Sequence, residues 1–302
     1  MNVLLTGATG FVGKELVSLL LNKGCEIRVL SRSAARAGSS LPTPVKCFDW
    51  DAENEVAPAT ALKNIDVVIH LAGENVGAGR WSPEVKRRIL KSRELGTRNL
   101  VAGINQMDRP PALISASAVG YYGNRGDEVL TEETPRGDGF LAGVCETWEL
   151  ESHAAKVSRL VTPRIGVVLG REGGALAKLL PIFKAGLGGR SGDGTQWMAW
   201  VHLHDLVSFL ARAATDPAIS GVYNLVAPEA STNERFAQTL GRVLHRPAIF
   251  PAPAFALKLA FGEMAEQTIL ASQRATSARL ESSGFRFEYP TLEGALRQIT
   301  AT

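Results

Sequence analysis

The sequence predicts an α/β fold: a doubly wound parallel sheet with a smaller C-terminal substrate lobe. Three observations predict it. Short β-rich apolar runs alternate with helical patterns through the first half of the chain, which requires parallel strands joined by right-handed helical crossovers. Several runs are almost continuously hydrophobic, as strands are when helices cover both faces of a sheet. A glycine-rich run, Gly7-Ala8-Thr9-Gly10-Phe11-Val12-Gly13, falls between the first strand pattern and the first helical one.

The elements follow in order. Strands are predicted over 2–6, 26–30, 45–48, 67–71, 112–117 and 159–168. A helix over 13–23 places Leu16, Val17, Leu20 and Leu21 on one stripe and ends at Gly24, a C′ glycine. A second, over 83–105, has Pro83 in its first turn and a basic run between Lys86 and Arg98; a third covers 141–157. After Gly170 the pattern breaks, because Gly173, Gly174, Gly186, Gly188, Gly189, Gly192 and Gly194 punctuate a stretch that no single element accommodates. A helix over 205–215 and a strand over 221–225 come next, then a largely helical tail jointed at Pro247, Pro251 and Pro253. The expected division is a nucleotide-binding lobe over 1–170, with 200–226 returning to it, and a smaller lobe from 171–199 and 227–302.

Composition narrows the function. The 302 residues carry 33 basic and 30 acidic side chains, a net charge of +3, so no single-sign field marks a nucleic-acid binder. Cys25, Cys47 and Cys145 share no C-x-x-C spacing, which argues against a disulfide framework or a structural zinc, and no metal is expected. No apolar run approaches the roughly 18 residues of a membrane helix, and no basic segment precedes the first apolar run. A soluble, cytoplasmic protein is expected.

The glycine run carries the cofactor signal. Glycine there permits a tight turn, close approach of backbone to a pyrophosphate and close helix–strand packing, while the helix start offers unpaired amides and a positive dipole end. Gly7, Thr9, Gly10, Phe11, Val12 and Gly13 are the candidate contacts of a Rossmann-type site. An NAD-selective site places Asp or Glu after the second strand; here the sequence reads Leu30-Ser31-Arg32-Ser33, with no acid between Glu26 and Asp49. Arg32 suits a 2′-phosphate and Ser31 can donate to it, so NADP(H) is expected. Asp49 reads either as a partner of the adenine amino group or as a loop cap.

The glycine run, His70-Leu71-Ala72-Gly73 and Val201-His202-Leu203-His204-Asp205-Leu206 resemble the extended short-chain dehydrogenase/reductase superfamily. Longer strings resemble its atypical branch called the epimerase family, or 39U. These are Leu71-Ala72-Gly73-Glu74-Asn75, Ser117-Ala118-Val119-Gly120-Tyr121-Tyr122-Gly123, the stretches 139–149, 164–174 and 186–200, and Ser283-Gly284-Phe285. The resemblance spans nearly the whole chain. It implies NADP(H) binding, an epimerase-like fold, a small-molecule substrate for which members' labels suggest a nucleotide sugar, and a homodimer.

In that superfamily Ser and Tyr contact the substrate oxygen, Lys lowers the tyrosine pKa and binds ribose, and a helix Asn orders a water. Ser117 fits the Ser position, but Leu141 and Cys145 fall on the Tyr-x-x-x-Lys pair and Arg93 falls on the Asn. A phenol depressed from a pKa near 10 can act as a base near neutrality, whereas leucine holds no proton to trade. The resemblance places Leu71, Ala72 and Gly73 beside the cofactor. Val168, at the exit of the sixth strand, is expected to touch the nicotinamide. Arg93, with Arg88 about one and a half turns before it, reads as a cation for the cofactor phosphate or an anionic substrate. Tyr122, close after Ser117, reads as a substitute proton donor.

Two functions remain open. One is an NADP-dependent oxidoreductase or epimerase-like isomerase that works through Ser117 and Tyr122; Ser117 and a full second lobe favour it. The other is a catalytically silent NADP(H)-binding regulator or interaction module, favoured by Leu141 and Cys145. His202 and His204 make half a metal site without further ligands. Trp197, Met198 and Trp200 either line a substrate pocket or cover core.

Overall fold

Seven parallel strands carry the computed structural model, which describes residues 1–301. They are β1 (Asn2–Thr6), β2 (Glu26–Ser31), β3 (Val45–Asp49), β4 (Val67–His70), β5 (Ala112–Ser115), β6 (Arg159–Ile165) and β7 (Gly221–Leu225). Their spatial order is β7-β6-β5-β4-β1-β2-β3, and the short piece Ser117–Ala118 adds to the sheet by pairing with Arg164 and Ile165 of β6. The order reverses beside β1: the chain runs outward through β2 and β3, then returns to β4 on the other flank. Thr6 lies opposite Leu30 of β2 and His70 of β4, so these strand ends form one rim. In a doubly wound sheet the crevice at that reversal is where a dinucleotide binds.

Both sheet faces are buried, and strand alternation sorts the side chains between them. Val3 and Leu5 pack with Leu16, Val17 and Leu20 of the helix Phe11–Asn22 and with Phe209 and Leu210 of the helix Leu203–Thr215. Leu4, Val68 and Leu113 face the other way, against Trp50 and against Leu100 and Ile104 of the helix Pro83–Ile104. Each such side chain contributes about 1.5–3 kcal/mol on burial. A second core joins Leu176, Leu180 and Phe183 of the helix Gly174–Lys184 to Phe236 and Leu240 of Asn233–Val243 and to Leu296 and Ile299 of Leu292–Thr300.

Three elements differ from the sequence expectation for identifiable reasons. The strand expected over 112–117 ends at Ser115, and Ser117–Ala118 forms a separate piece that pairs with Arg164 and Ile165 instead. The strand expected over 159–168 divides at Gly166, where a Cβ would stand 2.7 Å from the Ala199 carbonyl oxygen. Beyond it, Val167–Leu169 pairs with Trp200–His202 instead. The helix expected from 205 starts at Leu203, since the His202 ring accepts the His204 N–H and caps it. Among the described residues no helix is long and apolar enough to cross a membrane.

Candidate nucleotide and catalytic site

The glycine run turns at the end of β1. Gly7 has φ +72°, and a Cβ on it would stand 2.8 Å from the Leu71 carbonyl carbon, so the β1 and β4 exits cross at backbone distance. A Cβ on Gly13 would stand 2.3 Å from the Gly7 oxygen. Gly10 differs: it caps the helix Phe11–Asn22 from an extended conformation, and a Cβ there would meet only the Gly7 oxygen, at 3.2 Å. No side chain caps this helix, and its first turn holds no acid. The Phe11 ring wedges against Gly170 and Gly173, where added Cβ atoms would come within 2.5 and 2.4 Å, so Phe11 offers the site its backbone amide. Thr9 and Gly10 are exposed; Val12 is half-buried.

At the end of β2, Ser31 Oγ accepts the Ser33 N–H at 3.4 Å, and Arg32 is exposed with no carboxylate partner among the described residues. Asp49 Oδ1 accepts the Ala34 N–H at 2.7 Å. Of the two readings of Asp49, the geometry is that of a loop cap, holding the turn that presents Ser31 and Arg32.

The β4 exit is pinned from below. Thr6 Oγ1 lies 2.6 Å from His70 Nδ1, and His70 Nε2 lies 3.0 Å from Thr97 Oγ1. Burial, aided by the Arg93 charge, pulls the His70 pKa to about 4, so the ring is neutral. The Ala72 N–H donates to Thr6 Oγ1 and the Leu71 N–H to Thr6 O, which fixes Leu71-Ala72-Gly73. Arg93 lies against Gly73, whose added Cβ would stand 2.9 Å from Cζ. Its Nη1 donates to the carbonyls of Glu74 and Ile89, and Trp148 lies 4.9 Å from Cζ. Arg88 is exposed and pairs with Glu84 at 3.4 Å and Glu74 at 3.8 Å, so it belongs to the solvated helix face.

The expected catalytic side chains are brought together, but with each other. Ser117 is 2% exposed and donates to Glu149 Oε1 at 2.6 Å. Glu149 accepts from Arg164 Nε and Nη2, both at 2.9 Å. Tyr122, fully buried, donates to Asn224 Oδ1 at 2.6 Å and accepts from Arg164 Nη1 at 3.0 Å. Burial pushes the Tyr122 pKa up to about 12. The hydroxyl read as a substitute proton donor is therefore committed to a buried network away from solvent.

Leu141 and Cys145, on the helix Phe140–His153, flank the loop after β5: a Cβ on Gly120 would lie 3.6 Å from Leu141 Cβ and 3.7 Å from Cys145 Sγ. Burial pushes the Cys145 thiol up to about 11, so it is neutral near pH 7. Beside Leu141 a small cavity of about 60 Å³ is lined by Gly120, Asn124, Asp138, Glu266 and Gln267 among others. Val168 is half-buried and pairs with Val201. Trp200 is buried in the second core with Met198 packed against it, and with Trp197 the two line a void of only about 10 Å³, room for no more than a water. His202 meets Gln298, and no metal-ligating cluster occurs among the described residues.

Sequence reasoning missed Glu149, Arg164 and Asn224 as a network. The available signal was a glutamate on a helix stripe with Cys145, Trp148 and Ser152, all of them buried. A charge on a buried stripe demands a partner.

Sheet order, crevice and glycine turn together define a Rossmann-type protein of the extended short-chain dehydrogenase/reductase class. The chain belongs to the NAD dependent epimerase/dehydratase family, whose model matches residues 3–225. Residues 252–299 match a domain of unknown function, DUF1731. The chain is 41% identical over 308 residues to the chloroplastic epimerase family protein SDR39U1 homolog of Arabidopsis thaliana, covering 99% of this chain and 86% of that one. It is 35% identical over 306 residues to the Homo sapiens epimerase family protein SDR39U1, covering all of both. The crystal structure of human SDR39U1 (isoform 2) with NADPH superposes with a TM-score of 0.88 at 33% identity, covering 99% of each chain. The resemblance to the 39U branch stands.

Proposed function

We propose that this chain binds NADP(H) in the crevice at the β1/β4 reversal. The observation that carries the reading is the start of the helix Phe11–Asn22: Gly10 is exposed, no side chain caps the helix and its first turn holds no acid, so its first amides are left for an anion such as a pyrophosphate. Gly7, Thr9, Gly10, Phe11, Val12 and Gly13 would hold the phosphates through backbone, and Ser31 and Arg32 the 2′-phosphate. Leu71, Ala72, Gly73 and Val168 would line the path, with Arg93 at its far end. The crystallisation of the human relative with NADPH supports the reading. When bound, this cofactor supplies or accepts a hydride.

The chain's own groups do not complete the usual acid–base relay. Leu141 carries no proton, Cys145 is a buried neutral thiol, and the hydroxyls of Ser117 and Tyr122 are spoken for. Nucleotide-sugar epimerisation through a tyrosine base is therefore not the reaction we assign. The catalytically silent binder is the reading this geometry supports best. Turnover of a small molecule is the second reading, favoured by the cavity beside Leu141.

A fluorescence titration tests the cofactor assignment. NADPH is expected to bind clearly more tightly than NADH. Arg32→Ala should weaken NADPH by about 1.5–3 kcal/mol, the range for a hydrogen bond to a charged group, and leave NADH nearly untouched. Equal affinities of the wild type for both would remove the assignment.

A further inference from the structure

The helix Pro83–Ile104 delivers to the β4 exit a cation that no carboxylate pairs with directly. Arg93 Nη1 donates only to two carbonyls, those of Glu74 at 3.0 Å and Ile89 at 3.2 Å, and Trp148 stacks 4.9 Å from Cζ. Of the ionisable groups facing it, His70 and Cys145 are neutral, and Glu74 attracts it without forming an ion pair. His70 is neutral because burial depresses its pKa, and Cys145 because burial raises its own. Glu74 meets Arg93 through its backbone carbonyl, while its carboxylate lies 3.8 Å from Arg88 Nε. Burial lowers the Arg93 pKa from 12.5, and a guanidinium starting that high stays protonated at neutral pH. A full positive charge thus stands without an ion pair of its own, half-buried against Gly73 and Trp148, where charge acts more strongly than in bulk water.

Its place in the sheet says what it would act on. Arg32 leaves the end of β2, on one side of the reversal; Gly73 and Gly120 follow β4 and β5, on the other. A dinucleotide spans the two halves of a doubly wound sheet. With its 2′-phosphate at Arg32, its nicotinamide end belongs to the half that holds Arg93. The oxidised ring carries one positive charge and the reduced ring none, while phosphates, riboses and adenine are the same in both. We propose that Arg93 makes this site selective for the reduced cofactor, NADPH over NADP⁺, by repelling the oxidised ring. The proposal rests on the NADP(H) reading and deepens it: a protein with this preference and no proton relay responds to the reduction state of the cofactor pool.

Two classes of partner for Arg93 make opposite predictions. If it repels the oxidised ring, its removal changes the ratio of the two affinities. If it holds a phosphate, its removal weakens both forms equally, since both carry the same phosphates. The experiment measures dissociation constants of NADPH by fluorescence and of NADP⁺ by competition, on wild type, Arg93→Lys, Arg93→Gln and Cys145→Asp. The wild type is expected to prefer NADPH by about tenfold, the scale of one like-charge pair at reduced dielectric. Arg93→Lys should keep the preference and Arg93→Gln should bring the ratio towards one. Cys145→Asp sets a carboxylate beside an intact Arg93 and should also flatten it, which keeps the test decisive should Arg93→Gln fold poorly. A wild-type ratio near one, or an unchanged ratio in both neutralising variants, overturns the proposal while leaving NADP(H) binding intact. Failure of the wild type to bind either form overturns the cofactor reading and this proposal with it.

Discussion

The end of β2 and the helix Phe140–His153 face the same crevice from opposite sides, and they differ in what they leave free. At β2, Arg32 is exposed and uncommitted, and across the glycine turn the first amides of Phe11–Asn22 have no side-chain cap. On the other side the hydroxyls expected to do chemistry are already used. Ser117 is spent on Glu149, Glu149 on Arg164, and Tyr122 on Asn224 and Arg164, while the tyrosine and lysine positions hold Leu141 and Cys145. Binding a ligand requires groups left open for it. Relaying a proton requires a group that is both reachable and tuned near working pH. On the reading proposed above, one half meets the first requirement and the other fails the second, so recognition would be kept in this fold without the relay.

The contrast can be broken from either side. Gly10→Val places a side chain at the uncapped helix start, its Cβ 3.2 Å from the Gly7 oxygen, and we expect NADPH binding to disappear from a fluorescence titration while circular dichroism still shows a folded protein. A folded Gly10→Val that binds normally would put the dinucleotide elsewhere. On the packed side, Glu149→Ala strands the Arg164 charge, 4% exposed, and should cost about 3–5 kcal/mol in denaturant unfolding. A loss below 1 kcal/mol would mean that the network does not hold this half together.

The His70 link sharpens the picture by pH. Its folded pKa of about 4 lies below the unfolded 6.5, so the unfolded chain takes up the proton first. The stability it contributes is present above pH 6.5 and is lost as pH falls from 6.5 towards 4, by roughly 3 kcal/mol in all. His70→Asn should flatten that limb of the stability profile; an unchanged slope would show that His70 is not the group responsible.

What the sequence revealed followed local rules. The glycine turn, the basic residue after β2 and the strands rest on spacing and residue type within a few positions; the turn and Arg32 follow β1 and β2 as expected, and each expected strand has a counterpart, two of them divided. The Leu141 and Cys145 departures were legible for the same reason. The partners of Ser117 and Tyr122 were not: Glu149 lies 32 residues from Ser117, and Asn224 lies 102 from Tyr122. Only the pairing of β5, β6 and β7 brings them together. A hydroxyl's freedom to do chemistry is a property of what reaches it in space, and Arg88 shows the converse, a basic residue of promising position claimed by Glu84 next door.

The most direct measurement is a crystal structure of this protein with NADPH at a resolution that places side-chain hydroxyls. The 2′-phosphate is expected at Arg32 and the nicotinamide beside Leu141 and Cys145. No Ser or Tyr hydroxyl is expected within about 2.6–3.2 Å of a substrate position over the ring. Ser117 and Tyr122 should remain bonded to Glu149 and Asn224. A cofactor-bound structure in which either hydroxyl has left that network and points over the nicotinamide would contradict this expectation, and would return the protein to the ordinary proton-relaying enzymes.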